Sequence, residues 1–214
     1  MEPASTPSAA LSHARGSAAT PLIEQTLGDF FAGMAQRQPT CEALVSRHQG
    51  LRYTYAELHQ AARQLASALL GLGLAKGDRI GIWSMNRVEW LITQFAAARA
   101  GLILTTINPA YRLDELEYAL KKVGCRALVL SPPFKTSDYP ALIRALAPEL
   151  DQPSPAGLNA RRLPDLKLVI QMETPTLAGA VGFDASEALG REAAPDLLLA
   201  VDTSLTWHDP MNIP

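Results

Sequence analysis

Short apolar runs alternate with helical patterns along most of this 214-residue chain, and this alternation limits the folds it can adopt. Residues 79–83, 102–107 and 127–130 are almost entirely apolar and are separated by helix-like segments. Strands that are apolar on both sides belong to parallel sheets covered by helices on both faces. The chain is therefore predicted to be an α/β protein with a mostly parallel sheet and right-handed βαβ connections.

The clearest helix signal begins at Thr54. Thr54 and Glu57 have the spacing of a capping box, in which each side chain satisfies an otherwise unpaired backbone N–H. An apolar stripe follows at helical spacing, and Gly71 and Gly73 end the helix. Similar signals predict helices capped by Thr26 and Asp114 and helices at 87–100 and 141–147, a hairpin of strands at 43–46 and 51–54, and a strand at 166–170.

Three regions differ in composition. Residues 1–25 are rich in Ala, Ser, Thr and Pro and are predicted to be a disordered tail. Residues 26–172 carry the α/β pattern and are predicted to form one subdomain. Residues 173–214 have a poorer pattern, with a short helix near Ser186, and are predicted to be a linking segment. Residues 151–164 contain three prolines and read as a surface loop.

Composition excludes several classes of function. The net charge is -2 and basic residues are scattered, so no nucleic-acid partner is expected. No apolar run is long enough to span a bilayer. The first residues lack both a secretory signal and the arginine content of a transit peptide, so the expected compartment is the cytoplasm. Cys41 and Cys125 form no disulfide framework, and Cys125 is expected to be a small buried apolar residue.

Most candidate motifs have a structural explanation. Gly71, Gly73 and Gly77 form GxGxxxG, which is one residue longer than a dinucleotide fingerprint and follows a helix instead of a strand, so a helix end and a turn are predicted. The chain contains neither a Walker-type phosphate loop nor a GxSxG nucleophile elbow. Asn108 and Pro109 follow an apolar strand, where a turn is favoured and a ligand contact is the alternative.

Titratable residues give no catalytic set. His13, His48, His59 and His208 lack the spacing of metal ligands, and His59 is predicted to be solvated on the polar side of its helix. Asp209 follows His208 directly, and adjacent side chains point apart, so a loop is favoured over an acid/base pair. An exposed helix face is predicted for Glu115 and Glu117, and a turn leading into a strand for Asp78 and Arg79.

Beside this pattern, several segments in order resemble the AMP-forming acyl-CoA synthetase family. Residues 53–58 resemble its TYxEL opening, 73–80 its LGxxxGDRV segment and 86–90 its NxxEW segment. Residues 100–101 with 108–111 resemble its AG…NPxY segment. A closer similarity to the medium-chain branch called acyl-CoA synthetase family member two lies at 115–118, 121–125, 134–136 and 162–166.

The resemblance implies an enzyme that joins a fatty acid to coenzyme A, using ATP and Mg²⁺. The fold expected is the first subdomain of the adenylate-forming enzyme N-terminal domain, incomplete on its own. Residues 208–213 resemble the run that leads into the family's phosphate loop, so this chain is expected to stop before that loop and to be inactive alone. No catalytic, cofactor-binding or metal residue is assigned, and the substrate-binding residues are left open.

A non-catalytic protein is the alternative. A sheet separated from its neighbour exposes apolar surface and an unpaired edge, which favours association with a partner or a second copy. Acyl chain length and oligomeric state do not follow from the sequence.

Overall fold

The computed structural model describes residues 22–154, 157–173, 177–193 and 195–213. Most of the predicted tail, residues 1–21, lies outside the described residues. In chain order the helices and strands are α1 (Leu27–Arg37), β1 (Glu42–Ser46), β2 (Leu51–Thr54), α2 (Tyr55–Gly71), β3 (Arg79–Trp83), α3 (Val88–Arg99), β4 (Ile103–Thr106), α4 (Leu113–Val123), β5 (Cys125–Leu130), α5 (Tyr139–Leu146), a 3₁₀ turn (Pro148–Asp151), β6 (Leu168–Gln171), β7 (Val181–Gly182), α6 (Phe183–Glu192), α7 (Pro195–Asp202) and β8 (Asn212–Ile213).

Among the described residues, one six-stranded sheet has the order β7-β6-β5-β3-β4-β8. Every neighbouring pair in it is parallel. β1 and β2 form a separate antiparallel hairpin beside it. The predicted α/β architecture with a mostly parallel sheet is therefore confirmed.

Helices cover both faces of the sheet, and alternate residues of each strand divide between two apolar cores. Ala127 and Val129 of β5 face a core shared with α1, α2, α3, α6 and α7. Leu128 and Leu130 face a second core shared with α4, α5 and the 3₁₀ turn. Each of these four side chains is fully buried, which explains why the strands read as continuous apolar runs.

The helix starts follow local capping chemistry. The Thr54–Glu57 capping box of α2 is present, and the Thr26 hydroxyl accepts the N–H of Asp29 at the start of α1. The predicted cap of α4 is wrong: α4 begins after Arg112, and Asp114 lies in its first turn. The Glu115 carboxylate accepts the Arg112 N–H at 2.9 Å, which fixes the earlier start.

The sequence pattern is weak in two stretches of the chain. Residues 152–154 and 157–164 have no helix or strand, as predicted for a loop, but Ala160 and Leu163 are buried in the second core instead of lying at the surface. In the last part of the chain, the helix predicted near Ser186 is confirmed as α6. β7, α7 and β8 also lie in this part and extend the same sheet and helical layer. The division of the chain at residue 172 stays a prediction.

Cys125, at the start of β5, is a buried free thiol, as predicted. Its Sγ donates to the carbonyl of Ala127 at 2.9 Å. Burial is the main cause that raises the pKa of the thiol to about 12. Cys125 therefore acts as an apolar packing residue and not as a nucleophile at neutral pH.

Candidate functional site

The carboxyl ends of β3, β4, β5 and β6 lie at one edge of the sheet, because these strands are parallel. In open α/β sheets, ligands bind beyond this edge. The loops that follow these strands therefore form the candidate site, and their side chains decide what it can hold.

Asn108 and Pro109 form a turn that is tied to the sheet. The Asn108 side-chain oxygen accepts the N–H of Ala110 at 2.9 Å, and the Trp83 indole donates to the Asn108 carbonyl at 3.0 Å. The Tyr139 hydroxyl donates to the Pro109 carbonyl at 3.2 Å. These contacts explain the dipeptide as a structural turn. A direct ligand contact at Asn108 stays a prediction.

Trp83 and Tyr139 form a rigid aromatic support under this turn. Their rings meet edge to face, with centroids 4.5 Å apart, and both side chains are almost fully buried. Burial raises the pKa of Tyr139, although Ser137 and Arg112 act to lower it. Tyr139 thus keeps its proton at neutral pH and positions the loop after β4.

Arg87 lies at the centre of a charged junction at the same edge. Its guanidinium donates to Glu89 at 3.0 Å and to Glu173, just after β6, at 2.8 Å. Glu89 also accepts from the Gln49 side chain at 2.9 Å, which ties in the turn between β1 and β2. Burial acts to raise the pKa of Glu89, but the hydrogen bonds from Arg87 and Gln49 lower it below its ordinary value.

The Arg87 junction was missed by sequence reasoning. Arg87 and Glu89 belong to the segment 86–90, which was interpreted only as a family signature. Their partners Gln49 and Glu173 are distant in the chain, so no local pattern announced them. Glu173 has φ 59°, a left-handed conformation that is uncommon for a residue with a side chain. Its carboxylate is paired with Arg87 in this geometry.

Two serines at the edge are turned toward their own loops. The Ser84 hydroxyl donates to the Met85 carbonyl at 2.7 Å. The Ser131 hydroxyl donates to the Pro132 carbonyl at 3.0 Å. Both serines are buried. Their hydroxyl protons are therefore engaged within the protein and are not directed toward a ligand.

The opposite, amino-terminal edge carries the residues that resemble the family's GDR segment. Asp78 accepts the Ala75 N–H at 2.9 Å, so the predicted turn is confirmed. Arg79 donates to the carbonyls of Val123 at 2.7 Å and Gly124 at 2.8 Å, which would otherwise end α4 unpaired. This arginine is a structural cap.

The glycines after α2 behave as predicted. Gly73 and Gly77 have φ 92° and 87°, and they form the turn between α2 and β3. The Gly77 N–H donates to the carbonyl of Gly101 at 2.8 Å. This glycine-rich segment follows the end of a helix, where backbone N–H groups are already used, so it does not offer a phosphate cradle.

Two predicted exposed residues are less exposed than expected. His59 is half-buried and packs edge-on against Phe31, with centroids 5.8 Å apart. It was predicted to be solvated because its own helix face is polar, but α1 covers that face. Glu117 is likewise half-buried, because Lys121, at 2.6 Å, and Arg162 both bind its carboxylate.

His208 and Asp209 lie in a loop, as predicted, and Asp209 has a partner distant in sequence. The Lys76 ammonium contacts the Asp209 carboxylate at 3.0 Å and the Ser204 carbonyl at 2.7 Å. Within the described ranges, no group of three or more His, Cys, Asp or Glu residues could hold a metal ion. The sequence analysis assigned no catalytic, cofactor-binding or metal-binding residue, and this stays a prediction.

An apolar depression of about 310 Å³ lies at the amino-terminal edge, away from the candidate site. Its walls come from the start of α1, the end of α3 and the loop before β8. Ile23 and Trp207 at its rim are 64% and 47% exposed, respectively.

Among the helices of the described residues, none combines the length and the apolar character that a membrane span requires.

Comparison with known proteins shows which family the chain resembles. The sequence model of the family described as AMP-binding enzyme matches residues 31–204. Medium-chain acyl-CoA ligase ACSF2, mitochondrial, from Homo sapiens is 42% identical over 210 residues, which cover 98% of this chain and 34% of that protein. The putative acyl-CoA synthetase YngI of Bacillus subtilis (strain 168) is 36% identical over 170 residues, covering 79% of this chain and 31% of that protein.

A solved structure shares the fold. The N-terminal domain of FACL13 from Mycobacterium tuberculosis superposes with a TM-score of 0.60 over 80% of this chain and 37% of that chain, at 23% sequence identity. The present chain spans about a third of the length of the curated relatives it matches, as shown by the 34% coverage of the human protein. The family match covers most of the chain, and the chain belongs to the AMP-binding enzyme family.

Proposed function

We propose that this chain supplies the amino-terminal scaffold of an AMP-forming, medium-chain acyl-CoA ligase. The similarity to ACSF2 over 98% of the chain is the observation that carries the proposal. The complete enzyme would join a fatty acid to ATP to give an acyl-adenylate and pyrophosphate. The thiol of coenzyme A would then displace AMP and form the thioester.

The described residues at the carboxyl edge do not fit ATP by themselves. The Ser84 and Ser131 hydroxyls are bonded to their own loops, and Arg87 is paired with Glu89 and Glu173. The glycine-rich turn near Gly77 lies at the opposite edge. ATP, Mg²⁺ and coenzyme A would therefore bind to groups that the rest of the complete enzyme supplies.

The role of this chain is to hold one wall of the ligand crevice in a fixed shape. The Arg87 junction fixes the ends of β3 and β6, while Trp83 and Tyr139 fix the loop after β4. Preorganised loops contribute to catalysis because a small misplacement of the substrate has a large effect on rate. The chemistry itself would come from groups supplied by the rest of the enzyme.

A chimera tests this proposal directly. The matching third of human ACSF2 is replaced by this chain, and acid-dependent ATP–pyrophosphate exchange is measured with octanoate. We expect exchange from the chimera and none from the human remainder without its first third. A folded chimera that shows no exchange with any medium-chain acid would contradict the scaffold role.

The isolated chain is expected to be inactive in the same assay. This expectation follows from the carboxyl edge, where the Ser84 and Ser131 hydroxyls donate to their own loops and Arg87 is paired with Glu89 and Glu173. Isothermal calorimetry with ATP is expected to show no binding. Clear exchange activity, or tight ATP binding, would show that the chain contains a nucleotide site of its own.

Self-association is the second candidate function, and the apolar depression at the amino-terminal edge favours it. Exposed Ile23 and Trp207 lie at the rim of this depression, and such patches mark protein contacts. Analytical ultracentrifugation of this chain decides the point. A concentration-dependent dimer that the Trp207→Ser variant abolishes would support association, whereas a monomer at all concentrations would exclude it.

We also propose the cytoplasm as the compartment of the enzyme. Cys41 and Cys125 are free thiols, which fits a reducing compartment such as the cytoplasm. The human relative carries the word mitochondrial in its name. Imaging of a carboxyl-terminal fluorescent fusion in the native host would distinguish the two compartments.

A further inference from the structure

A cluster of charged groups joins four helices at the amino-terminal side of the helical layer. Arg99, at the end of α3, contacts Asp29 of α1 at 3.5 Å and Asp202 of α7 at 2.5 Å. Arg99 and Asp202 have side chains only 20% and 21% exposed. His59 and Arg63 of α2 lie beside the same arginine. We name these five residues the Arg99 clamp.

Two nitrogen atoms in the clamp are buried without a hydrogen-bond partner. They are Nε2 of His59 and Nε of Arg99. Both residues line a small cavity of about 10 Å³, together with Phe31 and Phe95, whose rings stack with centroids 3.9 Å apart. A cavity of this size has room for about one water molecule. A proton taken up at Nε2 of His59 would therefore meet little solvent on this side of the ring.

The positive charges around His59 come from several elements. Arg63 lies one turn along α2, Arg99 faces the ring from α3, and Arg191 of α6 borders the surface depression that His59 also lines. The carboxylates of Asp29 and Asp202 are directed to Arg99. The nearest charges that act on the imidazole are thus cationic.

We propose that the Arg99 clamp is an acid-sensitive latch, in which protonation of His59 loosens α1 and α7 from α3. An imidazolium would be a further cation beside Arg63 and Arg99, in a half-buried position. Its repulsion acts on the arginine that holds Asp29 and Asp202. α7 leads through the loop at 203–211 to β8, so its release also frees that edge of the sheet.

The sign of the effect follows from proton linkage. Burial, then Arg99 and Arg63, lower the pKa of His59 below its ordinary value of 6.5. The unfolded or released state therefore binds the proton more readily, and the latch weakens as the pH falls below about 6.5. Asp202 acts in the opposite sense at more acidic pH, because burial raises its pKa above 3.8.

Hydrogen exchange of the whole chain at pH 7.5 and pH 5.5, corrected for intrinsic rates, tests the latch. We expect protection in α1 and α7 to fall relative to β3 and β5, by at most about tenfold per pH unit, because one proton is taken up. Equal protection of these helices at both pH values would overturn the proposal.

Two variants separate His59 from general effects of acid. His59→Gln should remove the pH-dependent loss, whereas His48→Gln, in the exposed turn between β1 and β2, should keep it. A fall of unchanged size in His59→Gln would overturn the proposal. If that variant does not fold, an NMR titration of the His59 ring in the unmodified chain decides, and a pKa at or above 6.5 would contradict it.

Discussion

β3 and β5 in the middle of the sheet contrast with β7 and β8 at its edges. The central strands have five and six residues, and the edge strands have two each. The central strands are fixed by apolar side chains on both faces. The segment that leads to β8 is held by contacts between residues distant in the chain, Lys76 with Asp209 and Arg99 of α3 with Asp202 of α7. The centre of the sheet therefore depends on packing, whereas the segment before β8 also depends on a few specific ion pairs.

Truncating the central core should have the largest effect. Leu128 on β5 is completely buried, so Leu128→Ala is expected to lower the free energy of unfolding by about 2–5 kcal/mol. Urea denaturation followed by circular dichroism measures the change. Leu199→Ala, on the exposed side of α7, is the matched control, because that leucine is 61% exposed. Similar losses of unfolding free energy in the two variants would show that the buried centre of the sheet contributes no more to stability than the exposed side of α7.

The contact of α6 with α2 should be the next most sensitive. A Cβ atom added to Gly190 would lie 1.7 Å from the backbone oxygen of Gln64, so the helices could not keep their distance. Gly190→Ala is expected to cost about 1–3 kcal/mol and to lower hydrogen-exchange protection in α6 first.

Gly71→Ala provides the control for this change. Gly71 is also helical, but a Cβ atom there would meet only the Ala193 Cβ, at 3.8 Å. This variant should be neutral or slightly more stable. Equal destabilisation by both substitutions would show that the close contact between α2 and α6 at Gly190 does not set the cost.

A smaller loss of stability is expected when the helix cap at the start of α2 is removed. Thr54→Ala removes the hydroxyl that accepts the Glu57 N–H, and it should lower stability by about 1 kcal/mol. Chemical denaturation measures it, with Thr203→Ala as a control on an exposed threonine after α7. A loss above that of Gly190→Ala would reverse the expected order of local and long-range contributions.

Glu117→Gln should have the smallest effect on the free energy of unfolding, and this effect should disappear in acid. Hydrogen bonds from Arg162 and Lys121 lower its pKa to about 2 from 4.5. Its contribution is therefore complete above about pH 4.5 and is lost as the pH falls toward 2. The difference in unfolding free energy between the natural chain and Glu117→Gln should shrink over this window. A constant difference would show that the ion pairs add nothing to stability.

Sequence reasoning was most successful where a local pattern determines the structure. The Thr54 capping box, β3 and the buried Cys125 follow from neighbouring residues alone. Asp114 failed as a cap because Glu115 reaches back to the Arg112 N–H and starts α4 earlier. Local patterns compete at a helix start, and the sequence does not show which one succeeds.

Contacts between residues that are distant in the chain explain the features that the sequence did not predict. His59 has a polar helix face of its own, yet Phe31 covers it from α1. Arg87 meets Glu173 across 86 residues. β7 and β8 are too short to show an apolar period, so their place in the sheet depends on partners elsewhere. For the candidate site, the sequence indicated the loop at Asn108 and missed the Arg87 junction.

Because Cys125 of β5 is buried, chemical labelling of the two cysteines can measure the fraction of molecules that are unfolded. Cys41 is exposed, whereas Cys125 is buried with a pKa of about 12. A thiol reagent should therefore label one site in each folded molecule and two in each unfolded one. The second label would accumulate only as fast as the centre of the sheet opens. Mass spectrometry of that label would report core opening without any added probe, separately from fraying at β7 and β8.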